Sequence, residues 1–183
     1  MVVGIKEVQE IVQNLSAREL NNPEGAGVDL RLGEVIEFSG GEAFIETDGP
    51  AGQGLRSGFE TSVVCAFNNE DDKSQEKFVF EPGKYYLVKT VESVKIPINV
   101  LGDFRARSTL FRSGLNLLTT TGAPGYEGPL VFGLVNLGPF PVTIQMGARI
   151  AQAVFYRLEG EGIQYRGQNQ GGRTTAAGVE RQV

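Results

Sequence analysis

The chain contains no histidine, no tryptophan, one cysteine and two methionines in 183 residues. The first absence excludes the most. Without histidine there is no imidazole general base, no histidine-bearing metal site and no Ser-His-Asp triad. The lone cysteine, Cys65, cannot close an internal disulfide or build a cysteine zinc site. No stretch approaches the ~18 apolar residues of a membrane span. The opening "MVVGIKEVQEIV" lacks the apolar run and cleavage site of a signal peptide. These features lead us to expect a soluble cytoplasmic protein with no membrane partner. Its chemistry must run on carboxylates, hydroxyls, basic side chains, backbone amides or a metal held by oxygen.

Basic charge is also in deficit. The formal net charge is −5, which disfavours nucleic acid as a bulk electrostatic partner. A small anionic ligand stays open, because a few local arginines decide that question. The 25 glycines and 8 prolines mark a turn-rich chain. Its length and hydrophobic content fit one domain over 1–183, with an N-terminal helix and turn over 1–25 and a flexible tail over 160–183.

Val8, Ile11, Val12 and Leu15 recur at helical spacing and predict a short amphipathic helix over 5–15. Beyond the turn cluster "NNPEGAG", runs such as "VDLRLGEVIEF", "KFVFEPGKYYLVKTVESVKIP", "NVLGDFRAR" and "ARIAQAVFYRLE" read as strands. The polar stretches 48–58 and 68–77 read as surface loops or an insertion. Nine or ten short strands with little helix predict an all-β sandwich, jelly roll or barrel.

Four segments could carry chemistry. "RARSTLFRSG" gathers Arg107 and Arg112 around Ser108 and Thr109. With Ser108 as N-cap of a helical turn, it would cradle a phosphate; a solvated basic turn is the competing reading. "VDLRLG" puts Asp29 and Arg31 on one strand face, toward either a metal–phosphate group or a neighbouring arginine. "TTGAPGYEG" is a hairpin tip turned by Pro124-Gly125, with Tyr126 placed to lie on a sugar or to pack on the sheet. The tail carries Tyr165, Gln168, Gln170 and Arg173, and is either a frayed terminus or an arm that closes over a ligand.

In order, "VDLRLG", "RSTLFRSGL", "GAPGYEG", "ARIAQAVF" and the glutamine-rich tail resemble the five motif regions of the dUTPase / dCTP deaminase superfamily. The match spans about residues 26 to 173. It implies a distorted jelly-roll-like β-barrel with a short N-terminal helix, assembled as a homotrimer with sites at subunit interfaces. It also implies Mg²⁺ and a deoxynucleoside triphosphate. Arg107, Ser108, Thr109 and Arg112 would hold phosphates, with Arg112 at the catalytic centre. Gly122 and its hairpin neighbours would read the base, Tyr126 would pack on deoxyribose, and Asp29 would support the metal. Gln152 falls in the fourth motif, and Tyr165, Gln168, Gln170 and Arg173 in the closing tail.

Two positions depart from the pattern. Gly133 stands where the resembling deaminases carry the deaminating glutamate, which argues against deamination of dCTP. Ala123 stands where dUTPases carry the aspartate that activates water. The resemblance therefore leads us to expect a Mg²⁺-dependent dUTP pyrophosphatase, producing dUMP and diphosphate, with its working carboxylate missing. Three explanations of Ala123 stay open: a disabling substitution, a deoxynucleotide-binding relative without turnover, or a substitute carboxylate at Glu127 or Asp103.

Overall fold

The computed structural model describes residues 1–48, 54–68, 76–160, 162–176 and 178–182. Of the expected loops over 48–58 and 68–77, residues 49–53 and 69–75 lie outside these, and Leu55–Ser57 forms a short strand instead. The described residues include three short helices: α1 (Ile5–Ile11), α2 (Ala17–Asn21) and α3 (Ser108–Arg112). The first strands are β1 (Val12–Gln13), β2 (Val28–Gly40), β3 (Phe44–Ile45), β4 (Leu55–Ser57) and β5 (Glu60–Ala66). Next come β6 (Lys77–Phe80), β7 (Tyr85–Lys95), β8 (Val100–Ala106), β9 (Leu115–Leu118) and β10 (Thr121–Gly122). The last are β11 (Glu127–Asn136), β12 (Val142–Gln145), β13 (Arg149–Arg157) and β14 (Glu180–Arg181).

An antiparallel sheet runs β10-β8-β13-β2-β7-β11-β9, with β1 added on β7 and β5 on β2. β2 belongs to both halves. Its first residues pair with β13 (Gln152 opposite Asp29) and, after a register shift between Leu32 and Glu34, it pairs with β7 (Val35 opposite Val88). Such a shift bends a strand and raises its twist, so the sheet curls instead of lying flat. The result is the expected all-β, jelly-roll-like half-barrel. Alternation in "VDLRLG" sends Val28, Leu30 and Leu32 to the core at 0% exposure. Phe104, Phe132, Phe155 and Ile150 meet them there.

Local elements depart from the sequence reading in three places. The N-terminal helix ends at Ile11, because Val12 and Gln13 pair with Val94 and Ser93 of β7. A second helix follows, with Ser16 as its N-cap accepting from the Glu19 N–H at 3.3 Å. At α3 the N-cap is Arg107, not Ser108, and makes no side-chain cap bond. Strands are also more numerous than nine or ten, since β3, β4 and β14 form a small sheet of their own.

Candidate functional site

Two cavities gather most of the residues singled out by sequence. The first, of about 390 Å³, lies beneath the hairpin between β10 and β11. Its turn is closed by the Tyr126 N–H donating to the Ala123 carbonyl at 3.1 Å. The Gly125 N–H donates to Ile96 O, and the Ile96 N–H returns to Tyr126 O, both at 2.9 Å. These bonds fix the hairpin against the end of β7. Tyr126 is buried, its hydroxyl donates to the Pro129 carbonyl at 2.6 Å, and burial pushes its phenol pKa up.

The tail lies across this hairpin. The Tyr165 N–H donates to Pro124 O at 2.8 Å, and the Gly171 N–H to Glu127 O at 2.9 Å. The side-chain amides of Gln164 and Gln170 donate to Gly125 O at 3.0 and 3.3 Å. The Tyr165 ring stands edge-on to Tyr126, with centroids 5.5 Å apart. The crossing depends on Gly128, at φ +136°, where a Cβ would meet Gly171 Cα at 2.7 Å.

Gly122, Ala123, Tyr126, Gly133, Tyr165 and Arg173 all line this cavity, together with Phe132 and Asn169. Among the described residues lining it, Arg173 is the only charged one. Among the described residues lining it there is no carboxylate. Glu127 is exposed and 3.6 Å from Lys95, and Asp103 pairs with Arg105 at 2.8 Å. At Gly133 a Cβ would meet the hydroxyl of Tyr85 on the neighbouring strand, so a side chain fits there only if that exposed tyrosine turns aside.

The second cavity, of about 320 Å³, lies at the other end of β8. Arg107, Ser108, Gln152 and Asp29 line it, joined by Arg18, Glu19 and Glu24 from the N-terminal segment. Asp29 is nearly buried, and its Oδ2 lies 2.7 Å from Arg149, 3.3 Å from Arg107 and 3.9 Å from Arg18. Arg18 in turn bonds Glu19 and Glu24. Of the two sequence readings of Asp29, the structure has the arginine contact. Among the described residues no group of acidic or cysteine side chains is arranged to hold a metal. With Asp29 held by guanidinium groups, the acidic residues do not by themselves fit an ion.

Thr109, Arg112, Gln168 and Gln170 line neither cavity. Thr109 and Arg112 are exposed on α3, Gln168 accepts from Arg56 at 2.8 Å, and Gln170 is spent on the hairpin. Sequence reasoning passed over Arg18, Arg56 and Glu180 and gave Arg149 no role. Arg18 bonds near neighbours, but the other partners lie far along the chain, 124 residues apart for Arg56 and Glu180 and 120 for Arg149 and Asp29. No local spacing encodes such a pair.

The two cavities share no lining residue. Gly102, which pairs with hairpin residue Gly122, and Arg107 lie five residues apart along β8, roughly 16 Å at ~3.3 Å per residue.

A family model described as dCTP deaminase-like matches residues 5–158. A dCTP deaminase of Pyrococcus furiosus is 38% identical over 67% of this chain and 78% of its own length. One from Natronomonas pharaonis is 34% identical over 80% of this chain and 74% of its own. A solved dCTP deaminase from Agrobacterium tumefaciens superposes with a TM-score of 0.59 at 18% identity, covering 84% of this chain. This chain spans about half of that protein, covering 48% of it, and the likeness supports the fold. The expectation of a dUTP pyrophosphatase is thereby corrected: the curated relatives at these identities are named dCTP deaminase. It rested on the phosphate cradle, the hairpin and Gly133 in the place of the deaminase glutamate, with Ala123 already counting against it. No helix among the described residues is long and apolar enough to cross a membrane.

Proposed function

Because the chain belongs to the dCTP deaminase-like family, we propose that its nucleotide is dCTP and its reaction class the hydrolytic deamination of cytosine to uracil at C4, with release of ammonia. The observation that carries the nucleotide half is the hairpin cavity. It has backbone from Gly122 and Ala123 for a base edge, a buried tyrosine beside it, the chain's own tail above it, and Arg173 as its cation. The reaction half follows the names of the relatives.

In this reading residues 1–183 act as one cytoplasmic domain in a homotrimer, and the phosphate cradle of one subunit faces the hairpin of another. Two observations support that assembly. The cavities are disjoint within one chain, and an exposed aromatic group, Phe38, Phe59 and Tyr85, lies on the surface. Arg149 neutralises Asp29 at 2.7 Å, so Arg107, at 3.3 Å, can turn to a phosphate without stranding the carboxylate. Ser108 and Gln152 offer neutral hydrogen bonds beside it. Mg²⁺ would enter as the counter-ion of the triphosphate.

One observation favours a second reading, dCTP binding without turnover. Deamination needs a group to carry protons between water, ring and leaving ammonia. The described lining of the hairpin cavity has no carboxylate, and the Tyr85 hydroxyl occupies the space at Gly133. Calorimetry with dCTP and Mg²⁺, an ammonia assay and light scattering test these readings together. Binding with ammonia release supports the first, and binding without it the second. A chain that does not bind dCTP overturns both. A solution mass equal to the 19.7 kDa monomer overturns the interface site.

A further inference from the structure

The tail does more than cover the hairpin, because its end is fastened. β14 pairs with β4, with Glu180 opposite Arg56. The Glu180 carboxylate sits between two guanidinium groups. Oε1 accepts from Arg56 Nε at 2.9 Å and lies 2.8 Å from its Nη2, and Oε2 lies 2.7 Å from Arg173 Nη2. Arg56 also donates to the Gln168 amide oxygen at 2.8 Å. Arg173 Nε is held by the Thr175 carbonyl at 2.9 Å. Beyond this point the Gln182 N–H donates to Gly54 O at 2.8 Å and its amide to Glu46 O at 2.7 Å.

We propose that Glu180 is a positioning residue: it latches the tail to β4 and thereby holds the Arg173 guanidinium at the wall of the hairpin cavity, toward the anionic part of a bound nucleotide. Arg173 is the sole charged side chain among the described residues lining that cavity. A free arginine carries several rotatable bonds and much rotamer entropy. Clamping two of its nitrogens removes that freedom before a ligand arrives, which is preorganisation. Burial would lift the Glu180 carboxyl, but the hydrogen bonds from Arg173 and Arg56 outweigh it and hold it below the ordinary carboxylate range. Glu180 is therefore ionised at neutral pH and pairs with Arg173 as a charged group.

The nucleotide arm of the test rests on the dCTP reading above. Full-length Glu180→Gln, which keeps size and removes charge, is titrated with dCTP and with deoxycytidine, next to Arg173→Ala and the double variant. The expected result is about tenfold weaker dCTP binding for a lost charge-assisted contact, with deoxycytidine unchanged and no further loss in the Arg173→Ala background. Equal losses for both ligands, additive losses in the double variant, or tighter dCTP binding in Glu180→Gln would each overturn the role. Tryptic cleavage after Arg166 and Arg173 reads the latch without any nucleotide. Faster release of the tail in Glu180→Gln is expected, and an unchanged rate overturns the latch even if the chain binds no dCTP.

Discussion

Replacing Arg31 by alanine strands a buried carboxylate. Glu92 is 0% exposed, and Arg31 serves it twice: Nε lies 2.5 Å from Oε1 and the backbone N–H donates to Oε2 at 2.7 Å. Arg31→Ala keeps the backbone bond and deletes the charge partner, together with the Arg31 bond to Asn14 O at 2.7 Å. Breaking a buried pair by removing one partner costs about 3–5 kcal/mol. The surviving N–H bond argues for the lower end, about 3 kcal/mol, or a fall in melting temperature of roughly 6–12 °C for a domain of this size.

The pH dependence gives the sharper signature. In the native protein burial raises the Glu92 pKa, opposed by its bonds to Arg31. Without the guanidinium it rises further. Below the unfolded carboxylate value of about 4.3 both states hold the proton and the variant loses little. Between the folded value of the native protein and the higher folded value of the variant, only the folded variant still holds the proton, so the deficit grows there. Urea unfolding at pH 4.5 and 7 should show the larger loss at pH 7, and Glu92→Gln in the same background should recover part of it. A loss under about 1 kcal/mol that is the same at both pH values would refute the reasoning.

Three further outcomes are expected. Gly133→Ala should cost less than about 1 kcal/mol, because the half-exposed Tyr85 can swing its hydroxyl aside, and thermal unfolding of the variant would report it. Gly128→Ala, at φ +136° under Gly171, should loosen the tail and speed its tryptic cleavage while leaving β2 and β7 protected from hydrogen exchange. Cys65, buried and with burial and Glu76 pushing its thiol up to about 11, should react slowly with a disulfide reagent at pH 8 and fast in denaturant.

Near-neighbour order in the chain determined a good deal. The alternation of "VDLRLG" fixed which face of β2 is buried, because successive side chains on a strand must point to opposite sides. Pro124-Gly125 fixed a turn, because proline presets its φ and glycine tolerates +78°. The lack of histidine removed whole classes of chemistry. The motif order also led to the superfamily, but it misdirected the choice of reaction.

Tertiary structure decided the rest, because strand register and chain path set which side chains meet. The helix from Ile5 stops at Ile11 since Val12 finds a strand partner 82 residues later, in Val94. Asp29 answers to arginines from α2, from the end of β8 and from β13, a convergence that β2–β13 pairing creates. The tail's composition admitted fraying or closure. Its bonds to the hairpin and the meeting of Arg56 with Glu180 across 124 residues come only with the folded chain path. Short-range sterics and alternation are written along the chain, whereas charge pairing is a property of points brought together in space.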